Sequence, residues 1–174
     1  MKKIFVLLAG VMLSLASSLA FSQTGAIDDS EIAAVIQTVN QGEIKAATKA
    51  QGKASNPDVR KYAQLMISDH QNAEKTASSV FKKLKIRPQP NMYSKNLKKD
   101  NNTAMRKMKK LQGNAFDLAY MESQEMMHQN VLNLIDSTLL PSASNAEVKT
   151  LVTNLRPVID AHLQQAKQLR SALK

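Results

Sequence analysis

Apolar residues recur at intervals of three and four along four long stretches of the chain, which is the spacing of one face of an α-helix. In the first stretch, about 29–51, these positions are Ile32, Ile36, Val39, Glu43, Ala46 and Ala50. In the second, about 56–84, they are Val59, Ala63, Met66, His70, Ala73, Ala77, Val80 and Leu84. In the third, about 114–139, they are Leu118, Met121, Glu125, His128, Leu132, Ile135 and Leu139. In the fourth, about 145–173, they are Val148, Leu151, Leu155, Val158, His162, Ala166, Leu169 and Leu173.

Capping residues and prolines predict where these helices begin and end. Ser30 is the expected N-cap of the first helix, and Asn56 followed by Pro57 begins the second. Pro141 is expected to end the third helix, because proline lacks the N–H that a helix interior requires. Pro157 lies inside the fourth and predicts a kink.

The segment between the second and third helices is long and rich in lysine. We expect Gln89–Gly113 to be a polar connection with a short helix at about Ala104–Leu111. Since no stretch alternates with a period of two, no strand is predicted. The fold class that follows is all-α, an antiparallel ferritin-like four-helix bundle with one long crossover between helices 2 and 3.

The N-terminus has the pattern of a secretory signal. Lys2 and Lys3 precede an apolar run, Ile4–Ala20, and the small residues of Ala20-Phe21-Ser22 follow it. The alternative is a membrane anchor, but the apolar run is short for a span of ~20 residues. We predict a signal peptide at 1–22, cut after Ser22, and a single domain at 23–174. The mature protein would be periplasmic or secreted and not transmembrane.

The charge of the chain indicates the kind of surface it would meet. The formal net charge is +10, and without Lys2 and Lys3 there remain 22 basic residues against 14 acidic ones, or +8. A basic exported protein tends towards anionic envelope surfaces, and nucleic acid is not an expected partner in that compartment. The chain has no cysteine, which excludes thiolate chemistry and iron–sulfur clusters.

All three histidines of the chain, His70, His128 and His162, fall on the predicted apolar faces of three different helices, and Glu43 and Glu125 do so as well. A buried glutamate must be paired, hydrogen-bonded, protonated or metal-bound. Imidazole and carboxylate together form a ligand set for transition metals, and carboxylate-bridged bundles use an E-x-x-H pair such as Glu125 and His128. The five residues therefore predict a metal site.

The expected metal is iron, manganese or zinc. Copper is less favoured, because methionines at helical spacing usually serve as core filler; those near the histidines are Met66, Met121, Met126 and Met127. A complete di-iron site is not supported, since Ile67 and Ile159 stand where further E-x-x-H glutamates would be needed. The alternative is that the five polar residues form a metal-free hydrogen-bonded network that fixes the register of the helices.

Several short segments resemble a bacterial envelope family known as domain of unknown function 4142. They are Asn56-Pro57-Asp58-Val59, Ser68-Asp69-His70, Ala115-Phe116-Asp117-Leu118-Ala119-Tyr120 leading to His128, and Leu155-Arg156-Pro157 leading to His162-Leu163. The resemblance implies a ferritin-like bundle and carries over the three histidines. It implies no activity.

Two functions follow as hypotheses. In the first, the bundle binds a transition metal through some of the five core residues and serves in metal handling or oxidative-stress protection. In the second, it is a metal-free envelope module whose basic surface contacts anionic components. No nucleophile elbow, catalytic triad or phosphate-binding loop is visible, and whether the protein is an enzyme stays open.

Overall fold

The computed structural model describes residues 26–173, and the predicted signal peptide lies outside them. Within that range the chain is all-α, with five long helices and no strand. The helices are α1, Asp29–Lys53; α2, Pro57–Lys83; α3, Met92–Met108; α4, Gly113–Leu134; and α5, Ala146–Ala172. A π-helical turn, Ile135–Leu139, and a last short turn, Leu140–Ser142, extend α4. None of the helices between residues 26 and 173 is both long and apolar enough to cross a membrane.

The helix starts are set by side-chain caps. Asn56 accepts hydrogen bonds from the first-turn amides of α2 with Pro57 at its first position, as predicted. The prediction of Ser30 as the first cap is wrong. Asp28 caps α1 by accepting from the Glu31 amide at 2.8 Å, and the Glu31 carboxylate accepts from the Asp28 amide in return. This complete capping box begins the helix one residue before Ser30.

The segment between α2 and α4 differs from the prediction of a polar connection with one short helix. It contains α3, which has 17 residues and is capped at Asn91. Only Ser94 and Met108 of α3 are buried, but Tyr93, Leu97, Ala104 and Met105 are partly buried and pack against the apolar clusters. The apolar face of α3 is therefore shallow, and Asn101 interrupts it. The helix packs mainly on α1, where Gly42 lies against Asn101.

The third predicted helix ends close to the expected residue. Pro141 lies inside the short turn Leu140–Ser142, and the helical stretch ends one residue after it, at Ser142. Proline lacks the N–H that a helix interior requires, which favours an end at this point. Pro157 lies inside α5, which continues to Ala172, and the kink there stays a prediction.

The core consists of two apolar clusters with polar side chains between them along each helix. The buried members of one cluster are Ile32, Ala33, Val35, Ile36, Ala77, Phe81, Val131, Leu132, Ile135, Leu139, Val148, Leu151, Val152, Ile159 and Leu163. Those of the other are Ala46, Ala47, Ala50, Ala54, Val59, Tyr62, Ala63, Met66, Met108, Phe116, Tyr120, Met121 and Ala166. Along the chain α1 and α5 pass from the first cluster to the second, whereas α2 and α4 pass from the second to the first. The buried polar residues that fall between the clusters are Asn40, Glu43, His70, Gln124, His128 and His162.

A buried carboxylate fixes the connection between α1 and α2 to α4. Asp117 is fully buried and accepts from the backbone amides of Ser55, at 3.0 Å, and Asn56, at 2.7 Å. The hydroxyl of Ser55 donates to the same carboxylate. The start of α2, and with it the height of His70, is therefore fixed relative to α4.

Candidate metal centre

Three histidines from three helices meet in the polar layer. His70 of α2, His128 of α4 and His162 of α5 are each 3–4% exposed. Their ring centroids are 6.0 Å apart for His70 and His128, 5.6 Å for His70 and His162, and 5.4 Å for His128 and His162. One nitrogen from each ring lies within 4.8 Å of the other two.

Each imidazole is held by a group that can only accept a hydrogen bond from it. His128 Nδ1 lies 2.9 Å from the backbone carbonyl of Gln124, and His162 Nε2 lies 2.9 Å from Oδ2 of Asp69. A carbonyl or an ionised carboxylate accepts only, so both of these ring nitrogens carry the proton and donate it.

The tautomer of His70 follows from its contact with Asn40, whose orientation is in turn set by Glu74. His70 Nδ1 lies 3.0 Å from Asn40 Oδ1, and Asn40 Nδ2 donates to Oε2 of Glu74 at 3.2 Å. Because the Glu74 carboxylate accepts from the Asn40 amide nitrogen, the amide oxygen faces His70 and accepts from its Nδ1. His70 is therefore also protonated on the nitrogen that is already bonded.

The second nitrogen of each ring is buried and has no hydrogen-bond partner among residues 26–173. These atoms are His70 Nε2, His128 Nε2 and His162 Nδ1. With the proton on the other nitrogen, each carries a free lone pair in the neutral ring. Buried nitrogen acceptors without a partner are uncommon in proteins and require an explanation. Metal-binding histidines share this arrangement, since one nitrogen binds the ion and the other donates to a carboxylate, carbonyl or amide oxygen.

Burial keeps the site in the form that binds metals. It lowers the pKa of His70 from 6.5 to about 3, and the neighbouring His128 and His162 add to this effect. Burial also lowers the pKa of His162, although its hydrogen bond to Asp69 opposes the shift. Two of the three rings are thus neutral at neutral pH, as metal ligation requires.

The two glutamates of the sequence prediction lie outside the group formed by the three histidines. Glu43 is 3% exposed, lines a small space together with His70 and His128, and accepts from Gln124 Nε2 at 2.8 Å. Glu125 instead forms an ion pair with Arg170 of α5, with Oε2 and Nε 2.9 Å apart. Three residues of helix leave Glu125 about 60° around the axis from His128, which is enough to direct it to a different neighbour.

Three residues that hold the histidines were missing from the sequence prediction. The side chain of Asn40 holds His70 and lies three residues before Glu43, and the backbone carbonyl that holds His128 belongs to Gln124, four residues earlier. Asn40 and Gln124 therefore each share a helix face with a predicted site residue. That spacing is a usable signal. Asp69 has none of this kind, because it neighbours His70 in sequence and contacts His162 on another helix.

The spacing of the nitrogens and their chemistry suit one metal ion. Metal–imidazole bonds are about 2.0–2.1 Å long, so nitrogens bound to the same ion lie no more than about 4 Å apart. One nitrogen from each of the three histidines lies within 4.8 Å of the other two, which is close to that spacing. Of the predicted methionines, Met127 lines the space beside His70 and His128, whereas Met126 is 53% exposed.

Comparison with known proteins agrees with this fold. The model of the family described as "Domain of unknown function (DUF4142)" matches residues 14–169, and the chain belongs to that family. Among curated proteins, none matches this chain. A solved structure described as "CopM in the Cu(II)-bound form" superposes with a TM-score of 0.68 over 86% of this chain and 99% of its own, at 18% sequence identity. At this identity the likeness concerns the fold alone.

Proposed function

We propose that this member of the DUF4142 family binds one transition-metal ion, copper in preference to zinc, through His70 Nε2, His128 Nε2 and His162 Nδ1. One observation carries the proposal: within the described part of the chain, three buried imidazole nitrogens have no hydrogen-bond partner, and the other nitrogen of each ring donates to an acceptor. The role we assign is metal handling in the cell envelope. Protection against oxidative stress is a consequence of keeping such an ion bound.

Three imidazole ligands without a carboxylate favour copper, whereas the sequence favoured iron, manganese or zinc. Iron and manganese sites in helical bundles rely on carboxylates, but here Glu43 is bonded to Gln124 and Glu125 is paired with Arg170. Three imidazoles suit zinc and copper, and copper(II) binds nitrogen ligands more tightly than zinc does. The structural likeness to a protein solved in a copper(II)-bound form supports the same choice.

We also propose that the architecture is an antiparallel ferritin-like four-helix bundle. The order of the two apolar clusters supports it, because α1 and α5 pass between them in one direction and α2 and α4 in the other. Two helices with the same direction need a long connection, and the segment that contains α3 supplies it. The exported location proposed from residues 1–22 would place the site outside the cytoplasm.

Elemental analysis of untagged protein tests the metal proposal. We expect about one copper ion per chain after supply of equal copper and zinc, and loss of the ion in His128→Ala. Glu125→Gln is the matched control, because it removes the carboxylate of the E-x-x-H pair without touching the three imidazoles. Retention of metal in His128→Ala, or the absence of bound metal after reconstitution of a folded protein, would contradict the proposal. Loss of metal in Glu125→Gln would instead indicate that Glu125 is a metal ligand, as expected from the sequence.

A second candidate function has its own observation. Helix α3 exposes Lys95, Lys98, Lys99, Arg106 and Lys107. Within residues 26–173, no lysine or arginine of this helix takes part in an ion pair. Unpaired cations on one helix favour an anionic surface as partner, and the attraction would weaken with salt.

Vesicles of anionic lipid test the second function. The charge reversal Lys98→Glu with Lys99→Glu is expected to reduce binding at low salt more than Lys75→Glu with Lys82→Glu, which makes the same change in charge on α2. Equal losses would mean that net charge alone, without a dedicated surface, drives the binding.

A further inference from the structure

An apolar cavity lies directly beside the three-histidine site. His70 and His162 form part of its wall, and aliphatic side chains from α1, the π-helical turn and α5 form most of the rest. Among them are Val35, Val39, Ile135, Leu139, Val152 and Ile159. Its volume is about 40 Å³, and on the same scale a single water molecule needs about 10–15 Å³. A molecule of two or three heavy atoms therefore fits.

The π-helical turn helps to shape this space. Ile135 and Leu139 begin and end the turn, and both are buried and line the cavity. One extra residue in a helical turn displaces the side chains from the positions that a regular helix would give them. Such turns are rare and are frequently found at functional sites.

The charges around the cavity exclude an anion. No lysine or arginine between residues 26 and 173 lines it, and the carboxylate that these residues place in its wall is Asp69, which accepts from His162. An anion would lose its water without gaining a cation or a free N–H donor, and the Asp69 charge would repel it. Because most of its wall is aliphatic, the cavity offers an uncharged apolar molecule more contacts than it offers water or an ion.

The cavity reaches the surface between α2 and α5. Val158 lines it and is 43% exposed, and Ala73, opposite on α2, is partly buried. Small aliphatic side chains at the opening leave an entry that a larger side chain would close.

We propose that the apolar cavity between α2 and α5 is the binding site for a small uncharged molecule of diatomic size, held against the open side of the three-histidine metal centre. The presence of a metal beside the cavity rests on the proposed function. The class of ligand rests only on the size and lining of the cavity. Three imidazoles leave a coordination position free, and the cavity decides what can approach it.

Carbon monoxide is the probe for the complete site. Protein loaded with one equivalent of copper(I), confirmed by elemental analysis, is titrated with carbon monoxide and followed by the infrared band of the bound gas. We expect binding to weaken by about tenfold or more in Ala73→Leu, which adds three carbons beside a cavity of about 40 Å³. Val158→Phe at the exposed opening should have the same effect and is the safer change for folding. Thr76→Leu, at an exposed position of α2 outside the cavity, is the control and should bind as the wild type does.

Xenon uptake by the metal-free protein, followed by xenon NMR, separates the two proposals. Copper-loaded protein that does not bind carbon monoxide, or binds it equally in all variants, overturns the inference and leaves the metal proposal intact. If the protein takes up no copper, the metal proposal fails. Xenon that enters the wild type but not Ala73→Leu would then still support the small-molecule site, and the absence of xenon would overturn it.

Discussion

His162 of α5 donates from Nε2 to Oδ2 of Asp69 on α2 across 2.9 Å, and this bond leaves Nδ1 of the same ring without a partner. The two residues are 93 positions apart in the chain, and their contact links α2 to α5. It also decides which nitrogen of His162 carries the proton. A residue outside the proposed ligand set thereby prepares one of the ligands.

The first prediction concerns this contact. In Asp69→Asn the new amide can donate its N–H to His162 Nε2. The ring proton would then move to Nδ1, and the Nδ1 lone pair would no longer be free to bind the metal. We expect the metal affinity to fall by about 10–100-fold, the range for loss of an outer partner of a metal ligand. Competition with a chelator of known affinity measures it. Asp160→Asn, next to the site on α5 but bonded only to Gln164, should leave the affinity unchanged.

The second prediction concerns the stability of the metal-free protein as the pH falls. Burial holds the pKa of His70 at about 3 in the folded chain, against an ordinary value of 6.5. Between these values the unfolded chain takes up a proton that the folded chain does not, so acid favours unfolding. The free energy of unfolding of the metal-free protein should fall by up to ~1.4 kcal/mol per pH unit from this group. Urea unfolding at several pH values measures the slope, and His70→Gln should flatten it. A slope of equal size in His70→Gln would contradict the assignment.

The third prediction separates Glu43 from the metal. Glu43 accepts from Gln124 Nε2 at 2.8 Å in the buried layer, so Glu43→Ala strands that donor and opens a space. We expect a loss of about 1–3 kcal/mol in the free energy of unfolding with the metal content unchanged. Chemical denaturation and elemental analysis of the same samples provide both values. Glu122→Ala, on the exposed side of α4, should change neither; loss of metal in Glu43→Ala would make Glu43 a ligand.

The fourth prediction concerns Asp117, the buried carboxylate that holds the connection between α1 and α2. Asp117→Ala leaves the amides of Ser55 and Asn56 without their acceptor, and we expect a loss of about 2–4 kcal/mol in stability. Thermal and urea unfolding measure it. Asp136→Ala breaks the exposed pair with Arg156 and should have little effect. A similar loss in both variants would show that the burial of Asp117 is not the cause.

Much of the fold was predictable because helical periodicity is a local property. The apolar positions predicted α1, α2, α4 and α5 close to their observed bounds, and the same faces placed all three histidines inside. Helix α3 was not predicted at its full length, because its apolar face is only partly buried and is interrupted by Asn101, where the helix meets Gly42 of α1.

The sequence alone determined most of the positions that face inwards, and only the tertiary structure decided which of them meet. Val158 was expected inside and is 43% exposed, whereas Asn40 and Gln124 are buried without having been predicted. Glu125 and His128 are three residues apart on one helix, yet one pairs with Arg170 and the other joins two histidines from other helices. Asp69 is next to His70 in the chain, yet its carboxylate accepts a hydrogen bond from His162. The reason is physical: the spacing along a helix sets the direction of a side chain relative to its own axis. The rotation and height of each helix against its neighbours are set by packing over the whole core.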